Sequence, residues 1–338
     1  MGHPSLKDCN ISRADVRDVD FTKYRGIDLV AGGPPCQPFS MGGKAAGMND
    51  SRDMFPQAIR AVAESQPRAF IFENVRGLLR PAFSNYVEYI RLQMEFPEFP
   101  TSKNVSWDQN LRRLQRHKER VGDSATGLRY RVHVHQANAA DYGIPQQRHR
   151  VFFVGFRADL TTDWSFPTRT HADRPAFAQE DNKTAGTKKP SKEKKLLSWV
   201  TLEEAIQDLP SPTSRTAKKW HNHVFQPGAK TYPGHTGSAL DRPAKALKAG
   251  DHGVPGGENM ILYPDGSVRY LSVRESARVQ TFPDNYVFLG SWTEAMRQLG
   301  NAVPKDLAEI VGKSVAKALA GQAAGTRQIS GDEAIQSA

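Results

Sequence analysis

The segment Ile27-Asp28-Leu29-Val30-Ala31 runs straight into Gly32-Gly33-Pro34-Pro35, and this junction constrains the fold more than any other stretch. A short apolar run stopped by paired glycines and prolines reads as a buried strand ending in a tight loop. Ala58 to Ser65 follows with helical spacing, and Ala69-Phe70-Ile71-Phe72 reads as a second buried strand. Phe83 to Met94 again has the helical period, Arg129 to Gln136 alternates, and Val151 to Gly155 makes another short apolar strand. Strands alternating with helices predict an α/β domain with a mainly parallel sheet. No repeat of fixed period interrupts the pattern.

Beyond Asp159 the texture changes. Thr184 to Lys195 is polar and lysine-rich, the composition of a solvated loop. Thr201 to Leu209 reads as a short amphipathic helix closed by Pro210. Residues 211–268 are rich in Gly, Pro, His and Lys with little helical period, which suits an irregular, β-leaning small domain. Within them Tyr263 to Val268 carries an Asp-Gly turn signal and predicts a hairpin. Helical texture returns at Leu271 to Gln280 and Lys305 to Ala320, and Gly321 to Ala338 reads as a frayed tail.

Composition narrows the class. A chain of 338 residues with 38% hydrophobic and 24% charged residues can bury a sizeable core and is not wholly disordered. No run approaches the roughly 20 apolar residues that span a bilayer, and the N-terminus lacks the apolar stretch of a secretory signal. The 2 cysteines, Cys9 and Cys36, make neither a disulfide scaffold nor, by themselves, a four-thiolate zinc site. The expectation is a soluble, cytoplasmic protein. The balance of 46 Lys+Arg against 36 Asp+Glu, a formal +10, suits a polyanionic partner because released counterions favour phosphate binding. A merely basic protein has the same balance, so the chemistry must come from particular residues.

Cys36 stands in Gly33-Pro34-Pro35-Cys36-Gln37-Pro38-Phe39-Ser40, just beyond a strand's C-terminal end, where open α/β sheets gather their sites. A lone cysteine is commonly a small buried hydrophobe. Here prolines on both sides stiffen the backbone and hold the thiol at a fixed angle, as a nucleophile requires. Glu73-Asn74 follows the strand Ala69 to Phe72, so a carboxyl and an amide emerge at the same sheet edge; a helix cap made by Asn74 is the alternative. In Gln146-Gln147-Arg148-His149-Arg150, alternation sends Gln146, Arg148 and Arg150 to one face, where arginines can grip phosphate or a base carbonyl, or simply line a solvated edge.

Taken in order, Gly33 to Ser40, Glu73-Asn74-Val75, Gln146-x-Arg148-x-Arg150, Arg274 to Pro283 (RESARVQTFP) and Gln298 to Pro304 (QLGNAVP) resemble the motifs of the bacterial DNA (cytosine-5) methyltransferases, and the resemblance runs from about His3 to Ala318. It implies a Rossmann-like, S-adenosyl-L-methionine-dependent methyltransferase sheet with a smaller target recognition domain. The implied divisions are a catalytic domain over 1–210, a recognition domain over 211–285, a returning segment over 286–322 and a tail over 323–338. It also implies roles. Cys36 supplies the thiolate that adds to carbon 6 of cytosine, Glu73 holds a proton at N3, Asn74 orients Glu73 and its loop, and Arg148 and Arg150 neutralise charge on the base carbonyl and a neighbouring phosphate. Asp15, Pro35 and Asn301 contact S-adenosyl-L-methionine. Gln37, Ser40, Gln146, Arg242 and Lys245 contact double-stranded DNA, from which the target base is extruded. A cognate restriction endonuclease is the implied companion, and no metal is implied.

One departure matters. Family members usually open with a Phe-x-Gly-x-Gly loop for the cofactor and a second strand ending in an acidic residue, and neither occurs here. The C-terminus holds no substitute: Gly312-Lys313-Ser314 mimics a phosphate loop, but Leu307 stands where that loop needs glycine. The sheet is therefore expected to be N-terminally incomplete, lacking two strands and a helix and exposing an apolar edge. A late start, a complementary polypeptide supplying the missing motif, or an inactive DNA-binding remnant each accounts for this. Methylation of structured RNA is a further alternative. His133-x-His135 and His221-x-His223 lack the partners of a zinc site.

Overall fold

The computed structural model describes residues 9–35, 53–102, 105–122, 127–173, 196–249 and 259–332, with side chains as far as residue 321. The lysine-rich stretch of 184–195 lies outside them. The chain divides into two units.

The first unit is built from Ile11–Ala137, Arg150–Phe166 and Lys313–Ala338. Its sheet contains β1 (Leu29–Gly32), β2 (Ala69–Val75), β3 (Tyr130–Asn138) and β4 (His149–Arg157), in the spatial order β1-β2-β4-β3. β1 pairs parallel with β2, but β2 pairs antiparallel with β4, from Ala69 opposite Phe156 to Val75 opposite Arg150. The sheet is thus mixed, where alternation of strands and helices suggested a mainly parallel one. Val151 to Phe156 are all buried, the pattern of a central strand covered on both faces. β1 differs from the expected buried strand: it stands at the sheet's edge, and Leu29, Ala31 and Gly32 are exposed because β2 is its one partner among the described residues.

Helix α1 (Phe55–Ser65) packs on this sheet through Phe55, Ala58, Ile59 and Val62, the i, i+3, i+4, i+7 spacing of one helical face. It ends at Gln66, which takes a left-handed conformation immediately before Pro67. Helices α2 (Ser84–Glu95) and α3 (Trp107–Val121) pack on each other through Leu92, Phe96, Leu111 and Leu114. Alternating charge and few apolar positions hide α3 from periodicity, and the sequence reading contains no helix there.

The second unit contains Asn138–His149 and Pro167–Gly312. In this division 138–149, 167–210 and 286–312 fall in the same unit as 211–285. The predicted hairpin is present: Met260–Leu262 pairs antiparallel with Val268–Tyr270, with Gly266 at φ +83° in the turn. Around it sit α4 (Leu202–Ile206), α5 (Val273–Val279) and α6 (Trp292–Asn301). Each opens on a capping box, Thr201 with Glu204, Ser272 with Glu275 and Ser291 with Glu294. Arg274 is fully buried, its guanidinium donating to the carbonyls of His221, Pro283 and Tyr286 at 3.0, 3.1 and 2.6 Å. A last helix, α7 (Lys305–Asp332), continues through residues expected to fray.

Gly155 on β4 has no room for a side chain: a Cβ there would lie 2.2 Å from the Phe70 ring. Gly155→Ala is therefore expected to destabilise the protein by about 1–3 kcal/mol, the usual cost of overpacking. Thermal unfolding should show a lower midpoint, with partial recovery when Phe70→Leu is added.

Candidate active site

The site is built where the C-terminal ends of β1 and β2 meet the start of β4. Because β2 and β4 are antiparallel, Glu73 and Arg150 become diagonal neighbours on one face of the sheet, within reach of long side chains. The Arg150 Nε lies 2.5 Å from Glu73 Oε1, and both side chains are largely buried. Burial pushes the Arg150 pKa down, and the Glu73 charge opposes that shift. The backbone at Gly33 runs beside the carboxylate, since a Cβ there would stand in ordinary contact with Glu73 Oε2 at 3.4 Å.

Asn74 is buried and ties the same corner together. Its Nδ2 donates to the Pro34 carbonyl at 3.0 Å, and its Oδ1 accepts from Val75 N at 2.8 Å. It therefore anchors the loop after β1 rather than capping a helix. Met54 N donates to the Pro35 carbonyl at 3.1 Å, which brings together the two described residues that flank the segment 36–52. Asp53 is braced there, accepting from Phe55 N at 3.1 Å and from the Tyr86 hydroxyl. Cys36, Gln37 and Ser40 themselves lie outside the described residues. Asp53 and Tyr86 escaped the sequence reading, because nothing in their local pattern signals a partner 33 residues away.

Arg148 and Gln146 sit differently from their expected roles. Arg148 is 1% exposed, and its guanidinium donates to the carbonyls of Leu247 at 2.9 Å and Gly300 at 2.5 Å. Gln146 is fully buried; its amide donates to Gln280 Oε1 at 3.1 Å, and its oxygen accepts from Leu247 N at 3.2 Å. Gln280 in turn donates to the carbonyls of Leu299 and Ala302. Gly300 completes the cluster, since a Cβ there would fall 2.3 Å from Ala249 N. Arg148 and Gln146 thus organise the interior of the second unit, and neither reaches solvent to meet a phosphate or a base. Alternation predicted a shared face with Arg150, but long-range hydrogen bonds decide where each side chain goes.

The remaining candidates are exposed. Asp15 caps a single 3-10 turn (Val16–Asp18), its carboxylate accepting from Arg17 N and Nε at 2.9 Å each and Nη2 at 2.6 Å. These hydrogen bonds from Arg17 lower its pKa to about 2. Arg60 holds that turn by donating to the Val16 and Val19 carbonyls. Arg242, Lys245, Pro35 and Asn301 are all exposed, with Lys245 Nζ donating to Thr236 Oγ1 at 2.9 Å.

An ionised, exposed carboxylate with a lone-pair position to spare suits the exocyclic amine of an adenine, and the Asn301 amide offers both a donor and an acceptor. Asp15, Pro35 and Asn301 therefore fit S-adenosyl-L-methionine in chemical type, with Arg17 the competing partner of Asp15. Among the described residues no cluster of His, Cys, Asp and Glu could hold a metal ion. The paired histidines are used elsewhere: His135 stacks on Phe166 at 4.0 Å, and His223 bonds Ser272 Oγ and the Pro210 carbonyl. No helix among the described residues is long and apolar enough to cross a membrane.

Comparison with known proteins bears on this arrangement. The family model for the C-5 cytosine-specific DNA methylases matches residues 5–106 and 109–317. Type II methyltransferase M.NgoMIV of Neisseria gonorrhoeae is 32% identical over 324 residues, covering 92% of this chain and 84% of that protein. Type II methyltransferase M.Eco47II of Escherichia coli is 32% identical over 323 residues, covering 90% and 68%. A crystal structure of a putative DNA modification methyltransferase from an E. coli prophage aligns with a TM-score of 0.51 at 20% identity, over 90% of this chain and 85% of that one, a likeness of fold. With a Rossmann-like methyltransferase sheet and a family match over nearly the whole chain, the protein belongs to the C-5 cytosine-specific DNA methylases, a family of S-adenosyl-L-methionine-dependent DNA cytosine-5 methyltransferases.

Proposed function

We propose that this chain methylates carbon 5 of cytosine within a specific sequence of duplex DNA, acting on a base extruded from the helix through a covalent adduct with Cys36. The observation that carries this reading is the Glu73–Arg150 pair held beside Gly33, on a corner that Asn74 ties to Pro34. A base edge needs a proton-holding carboxyl and a cation near its carbonyl, and the nucleophile must follow a stiff backbone. The first two meet at this corner, and Pro34-Pro35 leads from it to Cys36 in the sequence.

Carbon 5 of cytosine is a poor nucleophile until a thiolate adds to carbon 6, which turns the ring into an enamine. Glu73 holds a proton at N3 as the sulfur adds, and Arg150 orients that carboxyl and lends positive charge to the base carbonyl. S-adenosyl-L-methionine, which Asp15, Pro35 and Asn301 would hold, would give its sulfonium methyl to carbon 5 and leave as the neutral thioether S-adenosyl-L-homocysteine. A base then removes the carbon 5 proton, the carbon 6–sulfur bond breaks, and the thiolate is regenerated. Arg242 and Lys245, with Gln37 and Ser40, contact the duplex. The Type II naming of the relatives supports a cognate restriction endonuclease as companion.

The exposed outer side of β1, with Ile11, Val16 and Tyr24 also exposed nearby in sequence, favours a second reading in which a complementary polypeptide completes the sheet. Calorimetric titration with S-adenosyl-L-methionine separates the two: micromolar binding by this chain alone supports self-sufficiency, and no binding supports the need for a second polypeptide or an inactive remnant.

Cys36→Ser is expected to abolish methyl transfer and the denaturation-resistant adduct formed with 5-fluorocytosine duplex, while duplex binding persists. Near-normal turnover would remove Cys36 from the mechanism. Glu73→Gln should slow transfer by roughly 10²-fold or more, the scale of a lost acid–base group, and a rate equal to wild type would exclude that role.

A further inference from the structure

Helix α3 lies outside every motif discussed so far, and its outward face is cationic. Of its five basic side chains, two are committed to the fold. Arg113 donates to Asn110 Oδ1 at 2.8 Å and covers the Phe99 ring, and Lys118 pairs with Glu95 at 2.8 Å. The other three, Arg112, Arg116 and Arg120, are exposed and recur every four residues, so they form a single ridge along the helix. Arg112 makes a loose pair with Asp108 at 3.6 Å, while Arg116 and Arg120 bond a backbone carbonyl and His117 and have no carboxylate partner among the described residues.

The ridge is held rigidly. A capping box from Ser106 and Gln109 starts the helix, Leu111 and Leu114 bury its inner face, and Asn110 bonds both backbone groups of Ser102. Its first residue, Trp107, packs edge-on against Tyr86, whose hydroxyl donates to Asp53. The contacts of Lys118 with Glu95 and of His117 with Phe96 show that α3 runs parallel to α2 and away from Asp53. From Arg112 to Arg120 the ridge rises about 12 Å. One strand of a duplex presents a phosphate every 3.4 Å or so of its axis, so the ridge faces about three to four of them.

We propose that Arg112, Arg116 and Arg120 of α3 form a phosphate-binding ridge for duplex DNA flanking the target base, separate from the recognition segment. The proposal rests on duplex DNA being the substrate. The ridge contributes affinity and orientation without reading sequence, since phosphate contacts position a protein and base contacts specify its site. Neutralising each phosphate releases condensed counterions, so the ridge makes binding more sensitive to salt.

The test is the triple variant Arg112→Gln, Arg116→Gln, Arg120→Gln, whose exposed positions and similar helix propensity leave the fold intact by circular dichroism. Affinity for a long mixed-sequence duplex is measured by anisotropy across salt concentrations, and methyl transfer on plasmid DNA is measured alongside. The slope of log affinity against log salt should fall by about 2–3, so that raising salt from 50 to 200 mM costs wild type about 40-fold more affinity than the variant. KM for plasmid should rise while kcat at saturating DNA stays at the wild-type value. Gln115→Arg, an exposed position beside the ridge, should steepen the slope.

Equal slopes and equal KM for wild type and triple variant would overturn the ridge while leaving the duplex substrate standing. A wild type that ignores duplex DNA would overturn both. Loss of single-stranded RNA affinity with unchanged duplex affinity would assign the ridge to RNA and also sink the proposal.

Discussion

The candidate site depends on one pairing, the antiparallel register of β2 against β4. Had β4 run parallel to β2, Arg150 would stand at the opposite end of the sheet from Glu73. As observed, Val75 faces Arg150, so the residues ending one strand and beginning the other share a corner and a face. The chain after β1 is then drawn to that corner by the Asn74–Pro34 bond, and Gly33 runs beside the Glu73 carboxylate. Chemistry at this edge is a consequence of register before it is a consequence of residue type.

The second unit is organised by buried polar groups. Desolvating an arginine is expensive unless its donors are matched, and Arg274 and Arg148 both meet backbone carbonyls at hydrogen-bond distance. The stretch that follows the short strand Ala244–Lys245 and the C-terminal turn of α6 leave carbonyls without regular backbone partners. Long side chains reaching in from Gln146, Arg148 and Gln280 supply those partners. The arrangement explains how a Gly- and Pro-rich segment with little secondary structure still has a defined interior, with Gly300 and Ala249 in close contact. In the first unit, arginines on α3 instead point outward, where Arg112 meets Asp108 only loosely and Arg116 and Arg120 form no ion pair among the described residues.

Strands β1 to β4, helices α1 and α2, the hairpin turn at Gly266 and the order of the motifs were determined by the sequence alone, because each depends on neighbours a few residues apart. So was membership of the family, since Pro35-Cys36-Gln37, Glu73-Asn74 and the later blocks are local strings. Tertiary structure decided the rest. It reversed β4, exposed β1 at the edge, and separated two arginines that alternation had placed together: Arg148 inside one unit, Arg150 beside Glu73 in the other. It also formed α3 from a strongly charged stretch with a thin apolar face and joined Tyr86 to Asp53 across 33 residues. Periodicity reports which face of an element is apolar. Register, strand direction and the partner of a buried charge are settled by contacts between segments tens to hundreds of residues apart, to which no local pattern has access.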